Sequence, residues 1–156
     1  MKNFFSEELE ELVTECDKKI LARWAYDVSR RILPLFEKEF PNDKRPRIAL
    51  QTLQEWIAKG EFHMTVIRKA SLDAHAAARE VGGDTPARFA ARACGQAVAT
   101  AHVKTHALGP VYYSIKALRA NGATDEEIAK ERVWQHQHLI KLKKKQESSP
   151  PTPEQG

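Results

Sequence analysis

Apolar residues recur along this chain with helical spacing. Ile20, Trp24, Val28 and Ile32 fall every four positions, flanked by Leu21, Leu35 and Phe36. That is the stripe an amphipathic helix buries, and Pro34 should kink the helix or end it. Upstream, Ser6 is placed to cap a short helix whose first turn is acidic, ending near Cys16. Residues 41–47 hold Pro41 and Pro46 with the turn formers Asn42 and Asp43, so they read as a loop whose second proline opens the next helix. That helix carries Ala49, Leu53, Trp56 and Ile57 on one face and stops at Gly60, suited to a left-handed cap. A helix over about residues 62–81 follows, closed by Gly82 and Gly83. Thr85 and Pro86 open another, expected to run to Leu108, where Gly109-Pro110 interrupts it. Helix resumes from Val111 and ends at Asn121-Gly122. Thr124 and Glu127 form a capping box for the last helix, to about Lys145.

No stretch alternates apolar and polar residues with the β-branched richness of a strand, so the class is all-α. The pattern predicts a compact multi-helix bundle of about six to seven helices. Between Ala74 and Ala101 alanine is frequent, joined by Cys94 and Gly95. Two helices with such small side chains pack at the close end of the usual range of roughly 8 to 10 Å, which makes this hairpin the expected centre of the fold. Residues 1–146 are expected to form a single helical domain, and the proline-rich residues 147–156 a disordered tail.

Composition agrees, with 42% hydrophobic and 29% charged residues among 156. The formal charge is +4, and Lys141, Lys143, Lys144 and Lys145 account for that excess. Lysines at a helix end suit the negative pole of its dipole, so a nucleic-acid partner is not favoured. Cys16 and Cys94 lack CxxC spacing, which fits a reducing cytoplasm and calls for neither zinc nor a disulfide framework. No signal-peptide pattern and no apolar run near the roughly 20 residues of a membrane span is found.

The most chemical constellation is histidine. His102 and His106 stand one helical turn apart and therefore on the same face, with His75 on the neighbouring helix. A metal would need further ligands, such as Asp17, Asp27 or Glu37, because residues 103–105 are not those of an HExxH motif. Measured from the hairpin turn, His75 and His102 fall roughly 14 Å apart along antiparallel helices, which excludes a three-histidine site. His75 is expected level with residues 93–96 and bonded to Gln96, so that His75, Gln96, His102 and His106 read as a buried polar network. Cys94 reads as a small core residue, and no nucleotide-binding fingerprint is present. No cofactor is called for. His136 and His138, two apart, read as partly exposed surface residues that cannot chelate together.

Asp43, Arg45 and Arg47, beside a helix start, are candidates for contact with a partner. The competing reading has Asp43 capping the helix and the arginines pairing with Glu37 or Glu39. Trp24 and Trp56 lie on apolar stripes and are expected in the core. Trp134, amid charged neighbours, is the aromatic best placed for an exposed contact surface.

Six pieces of the chain, in order, resemble one family: 21–25 (LARWA), 35–37 (LFE), 43–47 (DKRPR), 54–60 (QEWIAKG), 76–80 (AAARE) and 90–103 (AARACGQAVATAHV). The likeness continues through Thr105-His106-Ala107 to Tyr113, and covers about residues 17–137. The chain is similar to bacterial immunity proteins of the Imm-five-like domain family. The resemblance implies a helical, non-catalytic protein encoded beside a polymorphic toxin, binding that toxin and protecting the producing cell. It carries over no binding residues. Because the chain is mildly basic, a basic nuclease is the less natural target, unless the acidic helix over 6–17 or the turn over 124–131 makes the contact. Two alternatives stand beside this reading: a metal-dependent hydrolase centred on His102 and His106, and a nucleic-acid-associated protein using the lysine cluster.

Overall fold

A computed structural model describes residues 4–148 of the chain. In order come α1 (Glu7–Glu15), α2 (Lys18–Glu37), α3 (Arg45–Lys59), α4 (Met64–Val81), α5 (Pro86–Ala99), a 3-10 turn (Lys104–Ala107), α6 (Leu108–Ala120) and α7 (Asp125–Ser148). Among the described residues there is no strand, and the class is all-α as the periodicity predicts. No helix among them is long and apolar enough to cross a membrane.

The ends of the helices follow from local chemistry. Ser6 Oγ accepts from Leu9 N at 3.1 Å and Asp17 Oδ1 from Ile20 N at 2.9 Å, each satisfying an amide that a first turn leaves without a partner. Thr124 and Glu127 exchange bonds at 3.1 Å in a capping box. Gly60 (φ +72°) closes α3 and Gly82 (φ +80°) closes α4, both in the left-handed region. Helix α2 runs one turn past Pro34 and stops at Glu37.

α5 is the element around which the bundle is arranged, packing on α2, α3, α4 and α6. Its small residues make this possible: Ala87, Ala90, Ala91, Ala93, Cys94, Gly95 and Ala97 are all buried. The large side chains come from α2, whose Trp24, Leu21, Val28, Ile32 and Phe36 are sealed against the alanines. α7 closes this core through Leu139 and Gln135, and Gln135 O accepts from Trp24 Nε1 at 2.8 Å.

Two expectations about the chain's course need correction. Helix α5 does not reach Leu108; it stops at Ala99, and Val103 is extended (φ −132°, ψ 117°) before the 3-10 turn. Gly109-Pro110 lie inside the first turn of α6 rather than breaking a helix. A proline ring clashes with the carbonyl four residues earlier in a continuous helix, whereas a first turn tolerates a missing N–H. The chain therefore breaks ahead of the proline and restarts. The last helix continues through Glu147 to Ser148, so the start of the expected tail is helical; the remaining tail residues, 149–156, lie outside the described residues.

Candidate functional site

The antiparallel α4–α5 pair is locked at one level by polar groups. Ser71 Oγ donates to Gly95 O at 2.9 Å. One turn further along α4, the His75 imidazole lies flat on Gly95: a Cβ built there would stand 2.7 Å from His75 Nε2 and 2.8 Å from Cδ2. Glycine is required so that the ring can reach the backbone of α5. His75 Nδ1 is 2.8 Å from Arg92 Nη1. A guanidinium only donates, so Nδ1 accepts and the ring proton sits on Nε2. Burial, followed by the charges of Arg92, Arg79 and His106, pulls the His75 pKa down to about 4. The ring is thus neutral and an acceptor at ordinary pH.

Gln96 does not bond to His75. Its side chain turns toward α6 and lies over Gly109, where an added Cβ would come within 2.6 Å of Gln96 Cβ and Cγ. There Gln96 Oε1 accepts from His106 Nδ1 at 2.8 Å. Burial, then His102, lowers the His106 pKa. Thr105, Leu108, Tyr112, Tyr113 and Phe5 complete an open groove of about 480 Å³ beside this pair. The expected four-residue network is therefore two separate pairs, His75–Arg92 and Gln96–His106, with His102 in neither. His102 is exposed and its ring stacks on Phe62 at 6.0 Å. Because α5 ends before them, His102 and His106 do not share a helical turn. Among the described residues no three His, Cys, Asp or Glu side chains are grouped as a metal site needs.

The other candidates have intramolecular partners. Asp43 Oδ1 accepts from Arg45 N at 3.1 Å and from Arg45 Nε at 2.9 Å, and Arg45 also pairs with Glu80 of α4. Arg47 forms a fork with Glu37 at 2.6 and 2.5 Å. The guanidiniums hold the Asp43 and Glu37 carboxyls below the ordinary carboxylate range. The loop is tied to α2 and α4 by these charges. Trp134 is half-buried, sandwiched between the His138 ring at 4.8 Å and the Arg31 guanidinium at 3.8 Å. His138, expected to be partly exposed, is half-buried and pairs with Asp27 Oδ2 at 2.6 Å, a partner the sequence reading did not name. Trp56, expected in the core, packs against it only in part, with Lys18 Nζ 5.8 Å above its ring. Cys94 is fully buried, and burial pushes its thiol pKa far up. In the lysine cluster Lys143 reaches Glu15 of α1 at 3.0 Å.

Sequence reasoning missed Arg92, the partner of His75, and Gly109, the seat of Gln96. The register of the hairpin placed His75 opposite 93–96; what it lacked was that Gly109 draws Gln96 to the other side. A family model described as "Imm-5 like putative immunity protein" matches residues 11–142 of the chain. No curated protein and no solved structure matches it.

Proposed function

From the premise that the chain belongs to the Imm-5-like immunity protein family, we propose that it binds a bacterial toxin polypeptide and neutralises it without catalysis. The observation carrying this reading is that the family match, residues 11–142, spans the bundle from within α1 into α7. The whole scaffold is thereby included, rather than one motif. The reading places the protein in the cytoplasm of a bacterium carrying a polymorphic toxin system. A binder of this kind needs a rigid frame and one complementary face. The bundle supplies side chains already held by neighbours, so fewer rotamers are frozen on association.

The test is co-expression with the toxin polypeptide encoded beside the gene, scored by growth rescue and by co-purification of untagged proteins. Rescue with a stoichiometric complex is the expected result. A well-expressed, toxic neighbour that is neither bound nor relieved would overturn the proposal.

A further inference from the structure

The register that lays His75 against Arg92 and Gly95 has a consequence one turn nearer the hairpin. Residues four apart share a helix face. On α4 that step leads from His75 to Arg79, and on antiparallel α5 from Arg92 to Arg88, so three guanidiniums gather on one two-helix face. Among the described residues no carboxylate pairs with Arg79 or Arg92. Arg88 has only Asp84, at 3.5 Å, on a side chain that is 82% exposed. By contrast Arg31, Arg45, Arg47 and Arg119 each meet a carboxylate within about 3 Å, a normal charge-assisted distance. Burial and the charges of Arg88 and Arg79 depress the Arg92 pKa, the nearby Tyr113 acting in the opposite sense. This is like-charge crowding left uncompensated within the chain.

We propose that Arg79, Arg88 and Arg92 form the docking surface for an acidic segment of the toxin, one presenting at least two carboxylates about 6 Å apart, the separation of neighbouring turns. This rests on the immunity reading for its partner and adds the partner's chemistry and the surface that meets it. His75 has a positioning role. By accepting from Nη1 it fixes the Arg92 fork before the partner arrives, which lowers the entropy lost on binding. The groove beside Gln96 and His106, bordered by Tyr112 and Tyr113, continues the face and suits the remainder of such a segment. A phosphate backbone fits less well. The cationic run covers two turns, and Glu80 and Asp84 stand at its hairpin end, whereas nucleic-acid binding draws on an extended row of cations.

Two arms test this. In the first, the full chain is titrated with a deca-glutamate peptide and, separately, a ten-nucleotide single-stranded DNA, while NMR follows arginine Nε–Hε and backbone amide resonances. Peptide-induced shifts at Arg79, Arg88 and Arg92 that vanish in Arg79→Glu/Arg88→Glu are expected. Shifts centred on Lys141 and Lys144, no shifts, or tighter binding of the DNA on the same arginines would each overturn the proposal. In the second, the same double variant, with its melting temperature verified against the parent, is measured for binding to the neighbouring toxin polypeptide. At least a hundredfold loss of affinity is expected. A parent complex matched by an equally tight variant complex overturns the docking surface and leaves the immunity reading intact. If the parent itself binds no toxin, the immunity reading fails and the peptide arm alone decides the acidic-segment chemistry.

Discussion

Replacing Gly95 with alanine isolates the contact on which the α4–α5 pair is built. The added Cβ would lie 2.7 to 2.9 Å from three atoms of the His75 ring. Carbon contacts are comfortable at about 3.5 to 4.0 Å, so the ring must retreat by nearly 1 Å. Its bond to Arg92 starts at 2.8 Å and would be stretched past hydrogen-bonding distance. Losing a bond to a charged group costs about 1.5 to 3 kcal/mol. Against this, alanine inside a helix is favoured over glycine by about 1 kcal/mol. The clash wins, and the net destabilisation is about 0.5 to 2 kcal/mol, a fall of roughly 1 to 8 °C in a chain of this size. Leucine adds overpacking of about 1 to 3 kcal/mol. The deciding assay is a double-mutant cycle by thermal or urea unfolding at pH 7.5. In a His75→Ala background the ring is gone and only the helix preference remains, so Gly95→Ala should stabilise by about 1 kcal/mol. Stabilisation in the parent, or an equal effect in both backgrounds, would refute the reasoning.

Acid stability is the next prediction. The pKa of His75 is about 4 in the folded chain and about 6.5 when unfolded, so the unfolded state takes up the proton first. His75's contribution is complete above pH 6.5, is lost as pH falls toward 4, and changes no further below that. His106 titrates in the same sense, whereas the contributions of Glu37 and Asp43, whose carboxyls are lowered, begin to be lost only as pH falls into the ordinary carboxylate range. Urea midpoints between pH 7 and 4.5 should therefore fall in the parent and fall less in His75→Gln; parallel curves would remove His75 as the cause. Trp24→Phe should cost about 2 to 4 kcal/mol through a void and a lost bond to Gln135 O, while half-exposed Trp56→Phe should cost under about 1 kcal/mol. Denaturant midpoints in the reverse order would contradict the assigned core. Gly60→Ala has open space around its Cβ but a φ of +72°, so its loss should be the backbone strain alone, about 1 kcal/mol. A neutral result would show that α3 ends differently.

Helices and their caps were legible because each signal is local. Ser6, Gly60, Gly82, Thr85 and the Thr124–Glu127 box act within a few residues of the backbone they satisfy. Gly109-Pro110 was legible as a break but misplaced, since proline fixes where a helix cannot run through and leaves the chain to choose where it stops. The loop pairing of Arg47 with Glu37 followed from short sequence distance and opposite charge. The polar pairs were harder. Register alone set His75 against Gly95, yet both Arg92 and Gln96 lay within about one turn of it. Arg92 became the partner because Gly109, on a third helix, gave Gln96 somewhere else to go. His138 likewise depended on α7 crossing α2 at Asp27, a contact 111 residues apart.

The same two glycines separate the chain's stability from its chemistry. A polar side chain placed on a close-packed alanine helix ordinarily has nowhere to lie, because each Cβ keeps the neighbouring helix at arm's length. Gly95 and Gly109 remove a Cβ directly beneath His75 and Gln96, so an imidazole and an amide settle within the packing and orient a second polar group from there. Apolar burial by α2 and α7 then holds the frame, while Arg92 and His106 are aimed by partners that contribute little apolar area. Burying a neutral histidine beside an arginine lowers stability in acid, a penalty that a larger side chain at 95 would remove only by forfeiting the bond to Arg92. An arrangement that accepts this cost is accounted for by the group it positions, the Arg92 guanidinium, more readily than by the core it interrupts.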